Sequence, residues 1–208
     1  MKLSAADMSQ RRQVMLKAAY RLFSQRNIAS VTMAQIAAET GYTLRSLQRY
    51  FKAKDELVIE TATWAWDRFM EDNRKNRKKA EETSAAEDYA FFLDSFLTLY
   101  RGHADLLRFN QFFNVYVRAE CLGAKQLSPY QGMMDALRER FRAVFAKGQV
   151  DGTLKSGVSE EEMFSVTLHI MLAAVTRYAV GLVYQSRLEP EEELVILRDM
   201  LYNRYAAQ

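Results

Sequence analysis

Apolar residues recur along the chain at intervals of three and four, and short polar joints break the rhythm. Met15, Ala18, Ala19, Leu22 and Phe23 share one face of a helical wheel while Arg12, Lys17 and Arg21 fall elsewhere, which predicts an amphipathic helix over 11–26. Asn27-Ile28-Ala29-Ser30 interrupts it. Thr32 is placed to cap a short helix over 33–39 with Met33, Ile36 and Ala37 inward. Gly41 can take the positive φ of a tight turn, and Thr43 can cap a second short helix over 44–50. Lys52-Ala53-Lys54 links to a long helix from Asp55 to about residue 79, whose acidic start and basic end suit the helix dipole.

Past a polar joint at 81–86 the pattern predicts five more helices, over 87–100, 104–120, 129–149, 160–186 and 191–205. Ser159 and Glu162 stand in capping-box register, Pro190 suits a first helical turn, and Asp151-Gly152-Thr153 reads as a turn. No segment reads as a strand and no repeat is visible. The expected fold class is all-α with about nine helices: a three-helix helix-turn-helix domain over 1–54 and a larger helical domain over 55–208.

Composition agrees. Apolar residues make up 49% of the 208 positions, enough for a core, and only 2 prolines and 8 glycines interrupt them. The single cysteine, Cys121, excludes an internal disulfide and a multi-cysteine zinc site, and fits a reducing cytoplasm. A lone thiol could sense oxidants but is more often inert. The first residues are polar, unlike a secretory signal. The apolar run 163–184 contains His169 and Arg177, which makes membrane insertion costly, so a buried helical interface is the expectation.

Charge adds an asymmetry. Residues 1–80 carry 16 Lys/Arg against 8 Asp/Glu, net +8, and residues 81–208 carry 13 against 18, net −5. A basic first third suits a polyanion, although a solvated surface would look the same.

The segment 30–57 gives that asymmetry a shape. Two short helices joined by a glycine turn, with a third before them, are the parts of a helix-turn-helix. Leu47 and Phe51 can point inward, with Ile36 and Phe23 as neighbours, while Thr43, Leu44, Arg45, Gln48 and Arg49 point out. Arg pairs with guanine and Gln with adenine in the major groove, and Thr32, Tyr50, Lys52 and Lys54 can bond phosphates. An ordinary helical hairpin with solvated charges is the plainer alternative.

Residues 11–57 resemble the DNA-binding domain of the TetR family of bacterial regulators. The resemblance rests on Ala19-Tyr20-Arg21-Leu22-Phe23, on Val31-Thr32-Met33-Ala34-Gln35-Ile36-Ala37, and on Gly41, Thr43, Ser46-Leu47, Arg49, Tyr50-Phe51, Lys54 and Leu57. The chain departs from the family pattern with Thr40-Gly41-Tyr42 before the second short helix, and with Gln48 and Tyr50 where a Tyr and a His are usual. These departures bear on contact roles more than on fold.

The resemblance implies a homodimer that reads a palindromic operator as two half-sites, with the helices near 160–184 and 190–205 of each subunit pairing as a bundle. It implies a small-molecule effector among the central helices, and repression as the commoner mode; an activator, or an interaction protein without a ligand, is the alternative. Aromatic and methionine side chains with a few polar anchors suit an uncharged, apolar or aromatic effector held between 89–117 and 133–178. The candidates are Phe92, Phe96, Phe109, Asn110, Phe113, Tyr116, Met134, His169 and Arg177, although the same spacing suits plain core. With two histidines, no phosphate-cradling glycine loop, no metal-ligand spacing and no nucleophile motif, the chain does not read as an enzyme, and no cofactor is expected.

Overall fold

The computed structural model describes residues 5–78, 82–182, 184 and 187–207. The expected helix limits at 79 and 186, and Glu81 of the polar joint, lie outside them. Among the described residues there are nine α-helices, as the periodicity predicts: α1 (Ala5–Gln25), α2 (Met33–Thr40), α3 (Leu44–Tyr50), α4 (Lys54–Lys75), α5 (Ala85–Gly102), α6 (Ala104–Ala119), α7 (Ala124–Asp151), α8 (Glu160–Val180) and α9 (Pro190–Tyr205).

Most boundaries follow from local chemistry. Thr32 caps α2 by a reciprocal box with Gln35, Thr43 accepts from Ser46 N to cap α3, and Ser159 accepts from Glu162 N to cap α8. A second box, Ser84 with Glu87, opens α5. Four limits differ from expectation: α4 ends at Lys75 rather than near residue 79, and three others have local reasons. First, α1 begins at Ala5, because its polar first turns carry no apolar periodicity to read. Second, α7 begins at Ala124 and takes in Pro129, whose missing N–H costs one bond near the helix start. Third, α8 stops at Val180, because Gly181 takes φ 107 and its N–H closes on Arg177 O, although apolar residues continue past it.

The chain forms two compact units, one of residues up to Met70 with Arg108–Met133, the other of Glu71–Leu107 with Met134 onward. The first unit is built on α1, α2 and α3 and buries Met15, Phe23, Ile28, Ile36, Leu47, Phe51 and Leu57 almost completely. In the second unit α5 packs against α8 and α9 around Tyr89, whose hydroxyl shares a 2.9 Å hydrogen bond with Thr167. The turn after α7 pairs with the C-terminal segment, Lys155 N donating to Tyr205 O and Ala207 N to Thr153 O. Leu154 there lies so close to Gly148 that a Cβ at 148 would sit 2.4 Å from it. Helix α8 is long and apolar enough by composition to cross a membrane, yet it buries Met163, Phe164, Thr167, Met171 and Val175 within this unit.

A buried carboxylate fixes the start of α5. Asp88 is 4% exposed and receives Arg77, Lys147 and the Thr83 hydroxyl. Burial pushes its pKa up, but these three donors outweigh burial and hold it below the usual carboxylate range. A depressed folded-state pKa contributes stability above the unfolded value, and that contribution is lost as pH falls through the folded value. Asp88→Asn is therefore expected to destabilise the protein by about 2 kcal/mol near neutral pH. Urea unfolding checks this, and the gap between the two proteins should narrow as pH falls below the ordinary carboxylate range and the wild-type carboxylate takes up its proton.

Candidate nucleic-acid interface

The geometry of α3 starts from its buried side. Leu47 and Phe51 are wholly buried, and Tyr50 joins them, so the inner face takes three of the last five residues before the α3–α4 joint. Arg12 of α1 clamps the end of α3. Its guanidinium lies 4.7 Å from the Phe51 ring centroid, donates to Tyr50 O at 3.4 Å and pairs with Glu60 of α4. The pairing with Glu60 raises the Arg12 pKa against the opposing effect of burial. Gly41 makes the turn with φ 71, its N–H and that of Tyr42 closing on Ala38 O and Ala37 O. Arg21 of α1 pairs with Glu39 at the end of α2.

With one face fixed inward, the other is fixed outward. Thr43, Leu44, Arg45, Gln48 and Arg49 are all exposed on α3, and Leu44 keeps 40% of its surface. Arg49 stacks 5.7 Å from the Tyr50 ring centroid, leaving its guanidinium at the surface. Together they present two guanidinium groups, an amide, a hydroxyl and an apolar side chain, the set that hydrogen-bonds base edges and meets a thymine methyl.

The flanking residues are more constrained than their sequence positions implied. Thr32 is exposed, but its hydroxyl serves the capping box, donating to Gln35 Oε1. Lys52 is exposed, with its N–H donated to Glu56. Lys54 is half-buried: its ammonium donates to Ala29 O at 3.1 Å and lies 5.3 Å from the Tyr116 ring centroid. Burial lowers its pKa, opposed by Glu120 and Asp55. The Tyr50 hydroxyl is covered and has no hydrogen-bond partner among the described residues, so this structure does not offer it to a phosphate. One feature escaped the sequence: Arg11 of α1 lies 5.5 Å from the Tyr42 ring centroid, next to the α3 cap. The two residues are thirty-one positions apart, so no local pattern marks the pair.

The expected effector residues divide between the units. In the first, Phe109 is fully buried against Tyr20, Phe23 and Phe113, Phe113 meets Tyr130, Asn110 is buried, and Tyr116 bonds Asp55. In the second, Phe92 and Phe96 join a ring cluster with Phe141 and Phe164, and Met134 is half-buried. His169 and Arg177 are exposed on α8, with Arg177 stacked on Tyr184. A concavity of 340 Å³ in the second unit has a cationic lining, Arg74, Lys75, Arg77 and Lys78, rather than an aromatic one. Among the described residues no group of three or more His, Cys, Asp or Glu could hold a metal ion.

Phe51→Ala is expected to cost about 3–5 kcal/mol of stability, as for a well-packed phenylalanine. Gln48→Ala is expected to stay within about 0.5 kcal/mol. Chemical denaturation of both checks which side of α3 is inside.

Comparison with known proteins agrees with this geometry. Residues 15–61 match the family described as bacterial regulatory proteins, tetR family. No curated protein matches the sequence. Among solved structures, a TetR-family transcriptional regulator from Haemophilus influenzae is similar with TM-score 0.66 at 17% identity, over 98% of this chain and 100% of that one. The transcriptional regulator FadR from Bacillus subtilis, solved with stearoyl-CoA, gives 0.72 at 14%, over 91% and 97%. A protein from Saccharomonospora viridis, solved with choline, gives 0.73 at 18%, over 96% and 100%. At such identities these likenesses speak to the fold, which extends over nearly the whole chain. Residues 15–61 thus carry the match to the tetR family of bacterial regulatory proteins, and the fold around them is similar to that of the solved regulators over nearly the whole chain.

Proposed function

We propose that the protein is a cytoplasmic, sequence-specific DNA-binding regulator, a homodimeric repressor released from a palindromic operator by a small effector. The observation that carries the reading is the outward face of α3: Thr43, Leu44, Arg45, Gln48 and Arg49 project from a helix whose opposite face is locked into the core. Residues 1–54 form the reading head in this account, and 55–208 the regulatory and dimerisation part. Thr32, Lys52 and Lys54 serve phosphates, and Arg11 joins them as a cation beside the α3 cap. Tyr50 acts through packing.

Dimerisation is supported by two stripes. On α8, His169, Ile170, Ala173, Arg177 and Val180 are exposed at helical spacing. On α9, Val195, Ile196 and Met200 are exposed at 37%, 49% and 62%. A second copy would cover both by an isologous interface. His169 and Arg177 fit that surface better than an effector site. Two reading heads then meet half-sites roughly 34–36 Å apart, or a related spacing.

The ring clusters at Phe92–Phe164 and Phe109–Tyr130 favour an apolar or aromatic molecule. The apolar chain of stearoyl-CoA bound by the FadR relative is of that kind.

Selection from random DNA with the purified protein is expected to recover a palindromic sequence, bound with an affinity that falls steeply with salt. Recovery of no sequence would contradict the reading. Sedimentation is expected to give twice the 24.1 kDa chain mass. Ile196→Glu with Met200→Glu should shift it toward one chain and weaken operator binding; a wild-type monomer would remove the dimer from the account.

A further inference from the structure

One cluster in the first unit joins α6 to the edge of the reading head. Tyr116 of α6 is 4% exposed, and its hydroxyl donates to Asp55 Oδ1 at 2.6 Å. Its ring lies 5.3 Å from the Lys54 ammonium, which in turn reaches Ala29 O at the 3-10 turn before α2. Two carboxylates, Asp55 and Glu120, bear on that ammonium. A lysine that meets a phosphate must be held near the surface and must not be spent on a neighbouring carboxylate. Asp55 follows it directly in sequence and, left free, competes with the phosphate for the Lys54 ammonium. The bond from Tyr116 occupies an Asp55 oxygen and fixes the carboxylate against α6, while the ring supports the ammonium from one side.

We propose that Tyr116 is a positioning residue for DNA binding: it holds the Asp55 carboxylate back and supports Lys54, keeping the Lys54 ammonium available to a DNA phosphate. The proposal rests on the DNA-reading role argued above. It gives Tyr116 a task other than lining an effector site, and it makes α6 a determinant of DNA affinity through a side chain that touches no DNA.

The test uses the full-length protein and the sequence recovered by selection, with affinity followed by fluorescence anisotropy across a salt series. Tyr116→Phe keeps the ring and removes the bond. It is expected to weaken binding about three- to tenfold, the scale of one ordinary hydrogen bond, because the bond acts on DNA only through Lys54. The loss should be the same on operator and unrelated DNA, and the salt slope should become shallower by about 0.9, one phosphate contact. Lys54→Ala should do the same, and the double variant should bind no more weakly than Lys54→Ala alone. Asp55→Asn placed in the Tyr116→Phe protein should restore most of the affinity, a rescue that a merely structural hydroxyl would not show. Tyr116→Phe at wild-type affinity and slope overturns the proposal, and so do losses that multiply in the double variant. A wild-type protein that binds no DNA overturns the DNA-reading role itself, a failure visible before any variant is made.

Discussion

The burial of Leu47 and Phe51 is the constraint on which the reading head depends. A seven-residue helix has little stability of its own, and α3 persists because its inner face is packed. Fully burying a leucine and a phenylalanine is worth about 1.5–3 kcal/mol each. Because they sit four residues apart, burying both fixes the rotation of the helix about its axis. That rotation aims Arg45, Gln48 and Arg49 at solvent. Arg12 adds a second tie from α1, over Phe51 and onto Glu60. Gly41 and the Thr43 cap then set where the helix begins.

The rest of the molecule divides its surface differently. The positive excess of residues 1–80 falls wholly within 1–54, whereas 81–208 are net acidic and carry the exposed apolar stripes of α8 and α9. In the proposed function the first part meets a polyanion and the second a surface like itself. The second unit holds its helices by a different device, the Asp88 carboxylate set among Arg77, Lys147 and Thr83, which draws together residues far apart in the chain. Removing the carboxylate would take a shared, buried counter-charge from Arg77 and Lys147, which is why so small a group matters.

Much of this was legible in the sequence, for reasons that differ by residue. The helices and the caps at Thr32, Thr43 and Ser159 are local: a side chain and an N–H three residues on decide them. The inward position of Leu47 and Phe51 follows from spacing. The burial of the Tyr50 hydroxyl is not legible, because a tyrosine at that register can face either way and only the packing covers it. Lys54 read as a free cation, whereas its ammonium is shared with Ala29 and Tyr116, one of them sixty-two positions away. The pairings Arg12–Glu60 and Arg77–Asp88, and the Arg11–Tyr42 stack, are equally non-local. The end of α8 was placed too late because apolar periodicity continues past Gly181, where the backbone itself turns. Residue type alone does not tell the exposed His169 and Arg177 from the buried Phe109.

The central claim is that the outward face of α3 reads bases, and the most direct test is the recognition profile of Arg45→Ala. Binding-site selection with wild type and variant side by side compares preference at every position. The account predicts that the variant loses preference at one symmetry-related pair of base positions, by about 1–3 kcal/mol, and keeps the rest of the motif. An unchanged motif, or uniformly weaker binding to every sequence, would contradict it.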